Sequence, residues 1–343
     1  MIDPPRWTAD MVIQLTPPTT IGSVFDMEDY PRTVLELEDR FSTEEACREY
    51  LAHLRWSNGF VCPKCESRKA WPASRGRLIC SACRHQASVT AGTIFQDTHK
   101  PLRMWFRAIW HVTSQKNGAS AISLQQLLGL GGYLTAWTGL HKLRRAMVRP
   151  GRDRLRGRVE VDETYVGGEG TGANHAGRHI GYKALVAIAA EENGRGIGRI
   201  RRARISEATK VAVQGFVEQA VEPGSTVHTD GLRAYGGLDT IGYKHEVSVL
   251  LGKGEDAAVR LLPRVHRVAS LLKRWLLGTH QGAVSLEHLD YYLDEFTFRF
   301  NRRASASRGK LFYRLLQQAV GVDPSPYKTI VGGKPLKGEK HNG

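Results

Sequence analysis

The chain has 343 residues, 41% of them hydrophobic, enough to bury a sizeable core divided among two or three domains. No apolar run approaches the roughly 18 residues that span a bilayer, and the N-terminus lacks a basic segment leading into an apolar one, so a cytoplasmic, nucleoid-associated protein is expected rather than a membrane or exported one. The formal charge of +15 is uneven: residues 1–60 carry 11 acids against 5 bases, which leaves +21 on the other 283 and points to a polyanion partner, double-stranded DNA above all.

In chain order, residues 1–40 hold Pro4-Pro5, Pro17-Pro18 and scattered acids, and read as an extended acidic arm. Residues 41–95 read as a zinc ribbon. A helix is expected from Ser42, with a hydroxyl and Glu44-Glu45 in its first turn, where a cap and negative charge are favourable. Cys47 lies on its apolar stripe with Tyr50, Leu51 and Leu54, as a core residue would. The pairs Cys62-Pro-Lys-Cys65 and Cys80-Ser-Ala-Cys83 are separated by 14 residues, long enough for a hairpin to return the second knuckle to the first. Paired cysteines without an export signal read as metal ligands before disulfides, and four thiolates make a closed structural Zn²⁺ site with no position left for catalysis. A redox role would need only one of the pairs.

Residues 96–150 read as a helical, helix-turn-helix-like DNA-binding domain. Leu102, Trp105, Phe106, Ile109 and Trp110 recur at helical spacing, 121–128 is a short second helix, and Gly129-Leu-Gly-Gly132 separates it from a third running from Tyr133 to Met147. In that third helix Leu134, Trp137 and Leu140 form the apolar stripe, while Lys142, Arg145 and Arg149 form a basic face suited to phosphates. Eight Lys or Arg residues fall from Lys142 through Arg158.

Residues 151–305 change period. Strands are expected at 158–166, 182–190 and 198–205, with Glu191-Glu-Asn-Gly194 as the turn between the last two. A helix at 207–220, a strand at 225–229, a short helix near 232–238, a strand at 243–249 and a long helix from about 258 follow. Three antiparallel strands, then helix, strand, helix, strand, helix, is the order of an α/β ribonuclease H-like mixed sheet flanked by helices. Asp162 ends the first of these strands and Asp230 the fourth. Carboxylates delivered to one place repel unless a cation neutralises them, which suggests a divalent-metal site for phosphoryl transfer. Either aspartate can instead cap a turn, as Asp-Gly pairs often do. Glu160 shares the strand face of Asp162 and competes as a ligand; Glu163 points to the other face. On the long helix His266, Ser270 and Lys273 share one side, and that side holds no glutamate. In the helix at 286–300, Glu287, Asp290, Asp294 and Glu295 lie beside aromatic residues and read as the polar side of an amphipathic helix. Residues 306–343, with Lys334, Lys337 and Lys340 among glycines, read as a basic flexible tail.

The segments Val159-Glu-Val-Asp-Glu-Thr-Tyr-Val-Gly-Gly168, His228-Thr-Asp-Gly231, His266-Arg-Val-Ala-Ser270 with Lys273-Arg-Trp275, and Leu289 to Arg303 resemble the DDE-type transposases of bacterial insertion-sequence family 1595. That resemblance, over roughly residues 40 to 305, implies a zinc ribbon joined to a ribonuclease H-like core. It further implies cleavage at the element's terminal inverted repeats and joining of the freed 3′-hydroxyls to target DNA, by a homodimer or higher oligomer. Asp162 and Asp230 are then the metal ligands, with Mg²⁺ or Mn²⁺, and the register of Lys273 places His266 where many relatives carry glutamate. An imidazole in place of a carboxylate favours Mn²⁺ over Mg²⁺. Lys273 and Arg274 are expected to meet DNA phosphates. Two other activities fit the same motifs: a DNA-binding regulator without catalysis, and a structure-specific nuclease without strand transfer.

Overall fold

The computed structural model describes residues 29–149, 151–167, 183–248, 260–281 and 284–332. They fall into two compact units. One takes the chain up to Gln115, Ala121–Ala146 and Ala306–Tyr327; the other takes Lys116–Ser120, Met147–Ser305 and the chain from Lys328.

The first unit begins with α1 (Val34–Arg40), where an extended arm is expected: the Thr33 hydroxyl accepts from the Glu36 amide and Leu37 is buried. The arm reading therefore stops short of residue 34, and its first 28 residues lie outside those described. In α2 (Glu44–Arg55) the cap is Thr43, which accepts from Ala46 N, one residue later than the sequence suggests. Glu44 reaches on to α3 (Leu102–Ser114), whose own start at Pro101 has no side-chain cap, and accepts from the amides of Leu102 (2.9 Å) and Arg103 (3.0 Å). Those amides have no intrahelical partner, so one carboxylate ties two helices together. Cys47 is fully buried and its thiol is pushed up to about 12, chiefly by burial, as befits a core residue.

Between these helices lies a three-stranded antiparallel sheet, β1 (Ala70–Ala73), β2 (Arg77–Cys80) and β3 (Gln86–Ala87). Helix α3 is followed by α4 (Ala121–Leu128) and α5 (Tyr133–Ala146), with Gly129 at φ +61° supplying the left-handed turn between them. The apolar side of α5 is rotated from the expected one: Ala136, Leu140 and Leu143 are buried, and Leu134 is 44% exposed. Helix α5 also ends at Ala146, so Arg149 is not on it, and the basic face expected from Lys142, Arg145 and Arg149 does not form on one helix. Arg149 is exposed beside Asp153, whereas Lys142 and Arg145 are half-buried. Lys142 lines a cavity of about 370 Å³ with Leu124, Leu128 and Trp105, where burial holds its amine below the ordinary range.

Among its described residues, 306–332, the expected flexible tail is mostly helical. A helix at Arg308–Ala319 buries Leu311, Phe312, Leu315, Leu316 and Ala319, and the Phe312 ring sits 5.6 Å from Phe106 and 5.8 Å from Trp110. Its apolar stripe at i, i+4 and i+8 outweighs the charged residues around it, so the first unit's core closes over sequence from both sides of the second. The lysines 334, 337 and 340 lie outside the described residues.

The second unit is a five-stranded mixed sheet. In chain order its strands are β4 (Arg158–Val166), β5 (Ala184–Asn193), β6 (Gly196–Ile205), β7 (Thr226–Thr229) and β8 (Lys244–Val247), and in space the order is β6-β5-β4-β7-β8. The first three are antiparallel, and β7 and β8 run parallel to β4, which is the ribonuclease H-like arrangement. From Ala184 to Ala190 every residue of β5 is buried, because helices cover both faces. On one face α6 (Lys210–Ala220) packs Val213, Phe216 and Val217 against Val159, Val161 and Val227. On the other, α7 (Pro263–His280) and α8 (Leu289–Asn301) pack Val265, Val268, Leu272, Leu293 and Phe296 against Val186, Ile188 and Ala190. The hairpin turn lies two residues beyond the expected one: Asn193 pairs with Gly196, so Gly194-Arg195 makes the bend. The expected short helix near 232–238 is instead two 3₁₀ turns, Arg233–Tyr235 and Leu238–Ile241. Among the described residues no helix is long and apolar enough to cross a membrane.

Candidate metal centres and active site

The zinc ligands assemble as expected. The sulfurs of Cys62, Cys65, Cys80 and Cys83 all lie within 4.8 Å of one another, with Cys62 Sγ 3.7 Å from Cys83 Sγ and Cys65 Sγ 3.6 Å from Cys80 Sγ. A tetrahedron with zinc–sulfur distances of about 2.3 Å has sulfur–sulfur edges of about 3.8 Å, so the cluster already has the size the ion needs. The amides of Cys83 and Ala82 lower the pKa of the Cys80 thiol and so favour its thiolate. Around the cluster, Phe60, Ala87 and the half-buried Trp56 complete a core too small to stand alone. Cys80→Ser is therefore expected to unfold the ribbon and lose the single equivalent of zinc per chain; a dye-based zinc-release assay with circular dichroism checks it.

The acidic site is built by register. Parallel pairing sets Arg158 opposite Thr226, Val159 opposite Val227 and Glu160 opposite His228. Asp162 and Asp230 stand two residues beyond this last pair, near enough for the charge of Asp230 to act on the Asp162 carboxyl, on the face that packs against α7. Antiparallel pairing of β4 with β5 continues past Asp162 to Val166, so Asp162 stays on a rigid strand. Asp230 follows the end of β7 in a turn, where its Oδ1 accepts from Leu232 N at 2.9 Å and Gly231 takes φ +88°.

Helix α7 brings the third residue. His266 Nε2 stands 3.7 Å from Asp162 Oδ2, buried and without a hydrogen-bond partner. Burial lowers the His266 pKa, keeping the imidazole neutral, against the attraction of Glu160 and Asp230. Asp162 is shifted the other way. Burial pushes its carboxyl up to about 6 and the charge of Asp230 adds to this, while the Glu163 amide and Lys273 oppose it. An unsatisfied nitrogen facing a carboxylate that resists ionisation is an arrangement that a cation would satisfy. Two acidic oxygens and an imidazole suit Mg²⁺ or, better, Mn²⁺. Among the described residues only the four cysteines draw three or more donors within 4.8 Å of one another, so the acidic set is more open than the zinc cluster.

Glu160, a rival ligand by sequence, is committed elsewhere. Its Oε2 accepts from the amides of Arg264 (2.7 Å) and Val265 (2.9 Å) and its Oε1 from Arg264 Nη1 (2.9 Å), with only 1% of the residue exposed. Pro263 opens α7 and has no N–H, so Glu160 takes the next two free amides and fixes the helix start against β4. His266 follows one residue after those amides. Sequence reading missed this cap, because nothing local pairs residue 160 with residue 264. The acids of α8 are also engaged: Asp290 with Arg204, Asp294 with Arg202 and Glu295 with Arg299. Lys273 and Arg274 are exposed on α7, and Lys273 acts electrostatically on both Asp162 and His266.

Comparison with known families now has a site to refer to. Residues 154–301 match the ISXO2-like transposase domain model of insertion-sequence family 1595, and residues 42–86 match its transposase zinc-ribbon domain. A protein of Halobacterium salinarum, described as an uncharacterized protein in transposable element ISH50, is 30% identical over 280 residues, covering 76% of this chain and 91% of that one. The chain belongs to the transposases of insertion-sequence family 1595. Among solved structures, the Mos1 transposase paired-end complex with left transposon end aligns at 12% identity and a TM-score of 0.28, covering 69% of this transposase and 81% of that chain. The simian T-cell lymphotropic virus intasome in complex with a PP2A regulatory subunit aligns at 11% and 0.29, covering 61% and 73%. At such scores neither alignment bears on the chemistry.

Proposed function

We propose that this transposase hydrolyses DNA strands at the ends of its insertion sequence and joins the freed 3′-hydroxyls to target DNA, using a divalent ion held by Asp162, Asp230 and His266. The observation that carries the reading is the His266 Nε2 atom, buried without a hydrogen-bond partner 3.7 Å from Asp162 Oδ2, with the charge of Asp230 acting on both groups. When bound, Mg²⁺ or Mn²⁺ there supplies Lewis acidity at the phosphorus centre and acidifies the attacking water or hydroxyl. Asp162 and Asp230 supply the negative charge that holds the ion, and the lone pair of His266 completes the set from the helix. Lys273, exposed beside the acids, binds a phosphate of the reacting strand, with Arg274 and Arg149 following the backbone outward. Lys142 and Arg145, being half-buried, suit this less well. The ribbon and the α3–α5 helices would recognise the terminal repeats, and pairing two ends requires at least a dimer.

Incubation of the purified protein with end-containing duplex and Mg²⁺ or Mn²⁺ tests the reading. Nicked ends followed by joined products support it; binding without nicking identifies a regulator, and nicking without joining identifies a nuclease. The histidine makes a separate prediction. His266→Glu restores a carboxylate and is expected to lower the Mg²⁺ concentration for half-maximal cleavage by about tenfold relative to His266→Ala, since one donor to an ion is worth on the order of 1–2 kcal/mol here. Equal Mg²⁺ titrations for the two variants would remove His266 from the ligand set.

A further inference from the structure

Asp162 is held in the β4–β5 ladder, whereas Asp230 lies one residue beyond the last paired residue of β7. The β4–β7 ladder ends at Glu160 and His228, so no backbone pairing between the two strands fixes the separation of the aspartates. What lies past that point is a side-chain link on the opposite face of the sheet. Tyr235 ends the 3₁₀ turn that follows Asp230 and Gly231, is fully buried, and donates its hydroxyl to Glu163 Oε2 at 2.8 Å. Glu163 is the residue after Asp162, and its alternation in the strand directs it away from the metal face. The ring of Tyr235 is gripped by the core beneath α6, with Val159, Val161, Val213 and Leu238 among the buried residues of that cluster. Its position is therefore set by packing, and the hydroxyl ties that position to β4 at the residue after Asp162. A hydrogen bond from a fixed buried donor to a carboxylate is short, directional and among the stronger ones a protein makes.

We infer that Tyr235 is a positioning residue: through Glu163 it holds the loop carrying Asp230 at a set distance from Asp162, and so tunes how tightly the pair grips a divalent ion. The inference rests on the ligand assignment proposed above. Neither Tyr235 nor Glu163 meets the substrate in this account; they act through the two aspartates. Removing the hydroxyl leaves the ring packed and frees the Asp230 loop to drift. A misplacement of about 1 Å in a reacting constellation costs on the order of 100-fold in rate.

The test is Tyr235→Phe in the full-length protein, read in three ways. Turnover of end cleavage at saturating DNA is expected to fall about 10- to 100-fold, with KM for DNA within about twofold of wild type. The Mn²⁺ concentration for half-maximal rate, and the Kd for Mn²⁺ by calorimetry without DNA, are expected to rise about tenfold. Excess Mn²⁺ should recover part of the rate. Unchanged turnover and Mn²⁺ affinity would overturn the inference. So would a loss of turnover that follows a lowered thermal midpoint while Mn²⁺ affinity stays at the wild-type value, because that is what a merely structural tyrosine produces. Glu163→Gln keeps an acceptor oxygen for the tyrosine hydroxyl and is expected to regain most of the Mn²⁺ affinity lost in Glu163→Ala; equal affinities for the two would also count against the link. Asp162→Asn run alongside separates the two levels. If it retains wild-type cleavage, the ligand assignment fails with everything built on it; if it is inactive and Tyr235→Phe behaves as wild type, only the positioning role falls.

Discussion

Asp162→Asn and Asp230→Asn are each expected to slow end cleavage by about 10³-fold or more, the equivalent of about 4 kcal/mol, while end-DNA affinity stays within a few-fold of wild type. Each change removes a negative charge from a site whose chemistry depends on concentrating positive charge, and each leaves the side chain's shape intact. The Asp162 change carries a second signature in stability. Because burial holds the folded Asp162 carboxyl at about 6, against an ordinary value of 3.8, the folded state keeps its proton over a range in which the unfolded state has lost it. Stability of the metal-free protein therefore falls as pH rises from about 4 to about 6, and the loss persists above that range. Asparagine has no charge to bury, so Asp162→Asn is expected to stabilise the metal-free protein at pH 8 by on the order of 2 kcal/mol, with the gain vanishing near pH 4. Urea denaturation at the two pH values in the presence of chelator measures this. A variant that is less stable than wild type at pH 8 and still cleaves would contradict both halves. Added Mn²⁺ should raise the midpoint of the wild type and not of the variant.

Glu160→Ala is expected to destabilise the second unit by about 3–5 kcal/mol, enough to abolish activity through the fold. The carboxylate is nearly inaccessible and accepts from two helix amides and a guanidinium, so its loss orphans all three donors and leaves Arg264 with Glu192 as its remaining carboxylate partner. Glu160→Gln preserves an acceptor for the amides and loses the charge; about half the cost is expected, with the Mn²⁺-induced rise in midpoint retained. That retention distinguishes a helix cap from a metal ligand. Loss of the metal response in Glu160→Gln, with its stability intact, would return Glu160 to the ligand set.

Much of this was readable in the chain. Short apolar or alternating runs located the five strands of the sheet and runs of period 3.6 the helices that cover it, since burial on both faces leaves a continuous apolar run and burial on one face marks every second or every third and fourth residue. Two Cys-x-x-Cys pairs announced a four-sulfur cluster because knuckle geometry is local. Boundaries fared worse where side chains from afar decide them. The hairpin turn moved to Gly194-Arg195 because β5 and β6 go on pairing through Asn193 and Gly196. Residues 308–319, at the far end of the chain, form a helix because Phe41, Phe106 and Trp110 offer Phe312 an aromatic pocket.

By itself, then, the sequence determined most of the strands and helices and the four-cysteine cluster, and singled out the two aspartates as candidates, all from residues close together in the chain. Only the tertiary structure decided what those acids stand beside. A parallel ladder between strands more than sixty residues apart, ending at Glu160 and His228, carries Asp162 and Asp230 to the same end of neighbouring strands. A cap across about a hundred residues sets α7 so that His266 faces them, and takes Glu160 out of contention. A tyrosine beneath the opposite face reaches Glu163, the residue after Asp162. Each is a contact between distant segments, specified by the packing of the whole sheet and invisible to any local pattern.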